Sequence, residues 1–284
     1  MRCPDIARRA APFLLACLAS HAFAAPDDAR KQVAARLQEV LPAVAPADYG
    51  LGAAAIDPAL QAQAQAHAAD AVPLVAAGKV LWDRKFRDGR SLATCFPNGG
   101  RRVAGAYPLY DARLKRVLTL ETAINQCLRT HGETVLDPQE PPMARLTAYL
   151  RTLSDGHKLA VRVPPAAAER LEQGRRMYFS RMGQRNYACA SCHVANAGKW
   201  FGDTPLSPAI GQATHWPIVR NGEAVTLHMR MRECLELMGA APFPAGSEEL
   251  THLEYFLAWL SNGQPLRANV WRPPQEPATG AAPK

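Results

Sequence analysis

YACASCHVANAGKW, residues 187–200, places Cys189, Cys192 and His193 in the order C-x-x-C-H. Two thiols about one helical turn apart can both add to the vinyl groups of a haem, and the adjacent histidine then faces the iron as its proximal ligand. A thioredoxin-like redox pair needs a βαβ setting, and half of a zinc site needs two more ligands close by. Neither is present in the sequence. The flanking stretches are what a small c-type cytochrome uses to enclose its macrocycle. ERLEQGRRMYFSR (169–181) and EELTHLEYFLAWLSNG (248–263) carry apolar residues at helical spacing, and the second stops at Asn262 and Gly263.

Working outward, the chain repeats itself. CLRTHG at 127–132 returns as CLELMG at 234–239, and YLRTLSDG at 149–156 returns as FLAWLSNG at 256–263, both 107 residues later. GKVLW at 78–82 matches GRRMY at 174–178, 96 residues later, so the halves differ by a short insertion. The counterpart of Cys189 is Cys95, but Phe96, Pro97, Asn98 and Gly99 follow it, without a second cysteine or a histidine. The expected fold is mainly α, with two tandem cytochrome c-like domains. The first, near 70–160, is degenerate and haem-free, and the second, near 165–270, binds one covalent haem c.

Arg2, Arg8 and Arg9 precede an apolar run from Ala10 to Leu18 and the small residues of HAFAA, the layout of a signal peptide over 1–24 cut after Ala24. A lipoprotein signal ending at Cys17 is the alternative. Either reading exports the protein, to the periplasm. Of 284 residues 48% are hydrophobic, enough for real cores, and no later run reads as a membrane span. The net charge of +8 becomes +6 without residues 1–24, and no dense Lys/Arg run marks a nucleic-acid site. Residues 25–69 read as a helical extension with a linker at Pro42–Gly52 and no chemistry of its own; His67 is expected at its surface. Residues 271–284 read as a flexible Pro/Ala-rich tail.

Five cysteines outlast signal removal, an odd number in an oxidising compartment. Cys234, in HMRMRECLELMGA (228–240), is the repeat partner of Cys127. If Cys234 approaches the distal side of the haem, Cys127 faces Cys95 across the collapsed space of the first half, and a disulfide follows; two separate buried thiols are the other reading. Cys234 itself reads either as a core cysteine or as a functional thiol. Arg230 stands one helical turn before it and Arg232 nearby, and cations favour thiolate over thiol. Met229, Met231, Met238, His215 and His228 are rival distal ligands, and with one of them the protein is an electron carrier. Lys199, Trp200 and Phe201 read as packing or as the haem edge.

Taken in order, GKVLWDRKFRDGRSLATCFPNGG, YACASCHVANAGKWFGDTPLSP, RMRECLELMGAAPFP and YFLAWLSNG resemble the SoxA family, the catalytic cytochrome subunits of SoxAX complexes of bacterial thiosulfate oxidation. The resemblance covers roughly residues 70–272. It implies haem c on Cys189 and Cys192, iron ligated by His193 and Cys234, and Cys234 modified to a persulfide and catalytic. It also implies Arg230 on the substrate and a single-haem subtype with Cys95 and Cys127 disulfide-bonded. The implied activity is that of an L-cysteine S-thiosulfotransferase, coupling thiosulfate to a cysteine of a SoxYZ carrier and passing two electrons to a SoxX cytochrome, with a third small subunit possible. A thiosulfate dehydrogenase forming tetrathionate is the remaining rival, although such enzymes normally carry two haem motifs.

Overall fold

Gly78 and Gly174 decide how the helices pack. An added Cβ would fall 1.9 Å from the Arg145 carbonyl oxygen at Gly78, and 1.9 Å from that of His252 at Gly174. Each glycine therefore lets two helix backbones touch. In the computed structural model, which describes residues 26–274, the first crossing joins α3 (Ala71–Asp83) to α5 (Pro141–Thr152). The second joins α6 (Ala168–Phe179) to α8 (Glu248–Leu260). Leu74, Gly78 and Trp82 form the buried stripe of α3, and Leu171, Gly174 and Tyr178 that of α6.

The correspondence continues between the paired helices. Hairpin β1 (Leu109–Asp111) to β2 (Arg116–Leu118) leads into α4 (Leu120–Thr130), and β5 (Ile218–Arg220) to β6 (Glu223–Val225) leads into α7 (Leu227–Leu237). Thr119 caps α4 and Thr226 caps α7, each accepting a hydrogen bond from the third helical residue, Thr122 or Met229. A third hairpin, β3 (Trp200–Phe201) with β4 (Thr204–Pro205), belongs to the second half alone.

Among the described residues the strands are confined to these short hairpins, in keeping with a mainly helical fold. LAVRVP (159–164) is not a strand but an extended connection, tied to the end of α8 by Asn262, whose side chain pairs with both backbone groups of Val161. The Asn221-Gly222 pair, both at positive φ, forms the turn of β5–β6.

Both halves share one hydrophobic core, from Trp82 and Phe96 through Leu146 and Leu150 to Tyr178, Phe256 and Leu257. Their contact also buries polar groups. His228 of α7 lies 3.1 Å from Glu254 of α8, at 7% and 5% side-chain exposure. Buried Arg151 of α5 lies in the field of Glu254 and Glu121. In the first half, Phe96 packs between Trp82 and Tyr107, so aromatic rings fill its interior.

Cys95 and Cys127 are joined in a disulfide, closing a separation of 32 residues. Loop closure of that length is worth about 3–4 kcal/mol. The Cys95→Ser/Cys127→Ser double variant is expected to lose that much in urea denaturation, with its haem content unchanged; a stability equal to wild type would contradict a structural contribution from the bond.

The N-terminal extension does more than cover the body. In α1 (Pro26–Val40), Val33 and Leu37 are buried, with Leu41 just beyond; a Cβ on Gly198 would meet Leu41 at 2.5 Å, close behind the C-x-x-C-H turn. Beyond it, α2 (Pro58–Ala66) leads to His67, which is exposed as expected and stacks on Trp271 with ring centroids 4.5 Å apart. The expected tail therefore starts later than 271. Trp271 bridges to Val219 and Arg272 donates to the Leu51 carbonyl at 2.6 Å, so the aromatic and the guanidinium tie this stretch to the body. Residues 275–284 and the expected signal segment 1–24 lie outside the described residues. Among the described residues, no helix is long and apolar enough to cross a membrane.

Candidate functional site

Cys189, Cys192, His193, Arg230 and Cys234 line one cavity, which also reaches Tyr178, Arg220 and Arg272. The cavity sits between the turn Ser191–Ala195, the hairpin β5–β6, and helices α6, α7 and α8. Its walls are mostly apolar, from Trp216, Ile218, Leu227, Met231, Leu253 and Leu257, while its cations gather at Arg220, Arg230 and Arg272. An apolar slot with a cationic edge matches the amphipathic shape of a haem.

The donor set fits that group as well. Cys189 and Cys192 are not joined in a disulfide and remain open to thioether formation. Burial pushes the Cys189 thiol up to about 12, so it rests as a neutral thiol. His193 is held by Nδ1, which donates to the Ser207 carbonyl at 2.8 Å, so that the lone pair of the neutral ring is on Nε2. Burial first, with Arg230 adding to it, lowers its pKa to about 4. The ring is thus neutral and oriented, the state in which imidazole ligates a metal.

Cys234 enters the same space from α7. Tyr178, whose own pKa is raised by burial, lies within electrostatic reach of Cys189, Cys192 and Cys234 together. Arg230 stands one turn before Cys234 and gives Nη1 to Glu233 at 3.0 Å. Burial works against its charge, but Cys234, Glu233 and Cys192 outweigh that effect and hold the guanidinium protonated more firmly than usual.

The rival ligands separate by position. Met229 is spent on the cap of α7, its sulfur accepting from the Thr226 N–H, and His228 is engaged by Glu254 and by the Gly246 N–H. Met231, Met238 and His215 do line the cavity. His215 donates Nδ1–H to the Gly50 carbonyl at 3.0 Å, and burial lowers its pKa to about 3, with Arg272 adding to the effect. Phe201 lines the cavity, whereas Trp200 is 50% exposed beside it.

One expectation fails. Arg232 does not wall the site with Arg230, because two residues along a helix turn the side chain about 200° away. It binds the Phe243 carbonyl instead. The second arginine is Arg220 of β5, whose Nη1 donates to Glu233 Oε2 at 3.1 Å, so that Glu233 bridges two arginines of the site. Sequence reasoning offered His215 as a ligand but missed Arg220, Glu233 and Arg272. These three lie on separate segments that only the fold brings together, and none carries a motif.

Known proteins resemble this chain in sequence and in fold. The SoxA/TsdA cytochrome c domain family matches residues 77–159 and 173–266, the two stretches that hold the repeated helix pairs. The L-cysteine S-thiosulfotransferase subunit SoxA of Allochromatium vinosum is 38% identical over 252 residues, covering 86% of this chain and 89% of that one. The same subunit of Chlorobaculum thiosulfatiphilum is 42% identical over 192 residues, covering 66% and 67%. The crystal structure of SoxXA from P. pantotrophus superposes with a TM-score of 0.69 at 25% identity, over 76% of this chain and 84% of that chain. With its cytochrome c-like helices, its C-x-x-C-H turn and these relatives, the chain belongs to the SoxA family.

Proposed function

We propose that the chain is the catalytic subunit of a SoxAX-type complex, an L-cysteine S-thiosulfotransferase that couples thiosulfate to a cysteine of a SoxYZ-type carrier. The reading rests on one observation above the others: Cys234 shares a cavity with the C-x-x-C-H residues and has Arg230 beside it. Cys189 and Cys192 would hold one haem c, and His193 and Cys234 would ligate its iron. When bound, that group supplies an electron acceptor at the wall of the cavity.

The chain's own residues supply the rest. Arg230, with Arg220 tethered to it through Glu233, draws in the thiosulfate dianion, and a guanidinium fork fits sulfonate oxygens as it fits phosphate. Cys234, carrying a second sulfur as a persulfide, is joined to the outer sulfur of thiosulfate with loss of two electrons, and the carrier thiol then attacks that outer sulfur, losing its proton and releasing the Cys234 persulfide. The net reaction joins the outer sulfur of thiosulfate to the carrier sulfur, releasing one proton and two electrons, and the electrons pass to a SoxX-type cytochrome. In this reading the chain forms two tandem cytochrome-like domains. The first has exchanged its haem for the Phe96 aromatic cluster and the Cys95–Cys127 bond.

Haem assay is expected to give one haem per chain, and intact mass one additional sulfur that maps to Cys234. Arg230→Gln is expected to lower kcat/KM for thiosulfate about a hundredfold, since it removes a charged hydrogen-bond donor from the substrate dianion. Two haems per chain, or an unchanged kcat/KM, would overturn the assignment.

A further inference from the structure

The Cys95–Cys127 disulfide has surroundings that a purely structural bond does not need. Cys95 is solvent-accessible, whereas Cys127 on α4 is 4% exposed. A ring nitrogen of His131 lies within 4.8 Å of both sulfurs. His131 ends α4, its side chain is 9% exposed, and it packs on Phe86 with ring centroids 5.1 Å apart. Its Nδ1 lies 2.7 Å from Asp88 Oδ2. Asp88 is fixed in turn, because its Oδ1 accepts the Arg90 N–H at 3.0 Å. That backbone bond, and next the bond to His131, hold the Asp88 carboxyl below its ordinary range. Asp88 accepts the Nδ1–H hydrogen bond, which leaves Nε2 as the nitrogen available for proton exchange.

The loop that carries Asp88 is also basic. Arg84, Lys85, Arg87 and Arg90 are all exposed, against the acids Asp83, Asp88 and Glu133, the last paired to Arg84 at 3.7 Å. A small anion approaching Cys95 meets net positive charge, whereas a neutral thiol gains nothing from it.

We propose that Cys95–Cys127 is a second sulfur-reactive site, an exchangeable disulfide that sulfite opens at Cys95 while His131, held by Asp88, protonates the departing sulfur of Cys127. Attack runs along the S–S axis from the solvent side, which makes accessible Cys95 the electrophile and buried Cys127 the leaving group. The bond between the two cysteines breaks and a bond from Cys95 to the sulfite sulfur forms. Sulfite, the protein disulfide and one proton give an S-sulfonate on Cys95 and a thiol on Cys127. Sulfite loses two electrons and Cys127 accepts them, so no further oxidant enters. The site stands apart from Cys234 and does not depend on the role assigned there.

The test is to incubate the full haem-loaded chain with sulfite and follow it by intact mass and peptide mapping. One added SO3 group on the peptide of Cys95, with a free thiol at Cys127, is expected under native conditions. His131→Gln and Asp88→Asn are expected to slow the reaction about tenfold or more, the size of effect that general acid catalysis gives. After denaturation all three proteins should react at one rate, because the denatured disulfide has no site around it. Raised salt should slow wild type more than an Arg87→Ser/Arg90→Ser variant. Reaction only after denaturation, an adduct on Cys127, or variants as fast as wild type would each overturn the proposal.

Discussion

Cys234→Ala is expected to abolish thiosulfate-dependent coupling to the carrier cysteine, to less than about a thousandth of wild type, and to leave one haem per chain attached. The two halves of this expectation rest on different residues. Attachment needs Cys189 and Cys192, which the substitution leaves in place, together with the His193 ring held by Ser207. Coupling, in the proposed mechanism, needs a sulfur at position 234 that can carry a second one. Leu235 and Met238 of the same segment stay buried, so the loss of one small side chain costs little stability. Cys234→Met separates ligation from chemistry, because a thioether can ligate iron but cannot form a persulfide. It should restore a low-spin spectrum without restoring activity. Coupling at wild-type rate in either variant, measured by mass on the carrier, would remove Cys234 from the mechanism.

Gly174→Ala is expected to unfold the second half and to prevent haem retention. Helix propensity alone would favour alanine over glycine by about 1 kcal/mol. The added Cβ, however, lands 1.9 Å from the His252 carbonyl and 2.9 Å from Phe256 Cβ. Contact between two backbones cannot be relieved by a rotamer change, so α6 and α8 must separate. That movement lifts Leu253 and Leu257 from the cavity wall, and a loss of more than about 3 kcal/mol follows. Gly78→Ala meets the Arg145 carbonyl at the same 1.9 Å, yet the damage falls in the half that lacks the C-x-x-C-H turn. That variant should melt lower than wild type and keep its haem once folded. Thermal denaturation and haem content of both variants check the contrast; equal haem loss in both would mean that the halves do not stand separately.

The parts legible in the sequence are those whose chemistry is local. C-x-x-C-H announces itself in five residues, and the offset of 107 pairs Cys127 with Cys234 without any knowledge of the fold. The same offset carries Arg145 to His252, the two carbonyls against which the repeated glycines pack. Arg220 and Glu233 were not legible, since a hairpin and a helix must first be brought side by side. His215 was legible as a candidate ligand, but its placement and that of Arg272 depend on the N-terminal extension, through the carbonyls of Gly50 and Leu51. Two misses had signals that were available. Asn221-Gly222 is a strong hairpin turn, and helical rotation alone places Arg232 on the opposite face from Arg230.

The contact of Leu41 with the chain at Gly198 bears on the order of assembly. Thioether formation would require the turn holding Cys189 and Cys192 to be reachable by haem, and α1 packs behind that turn with Val33, Leu37 and Leu41 buried. Residues 26–41 are therefore expected to dock after haem attachment; equal protection of α1 from proteolysis in the haem-free and the haem-loaded chain would contradict that order.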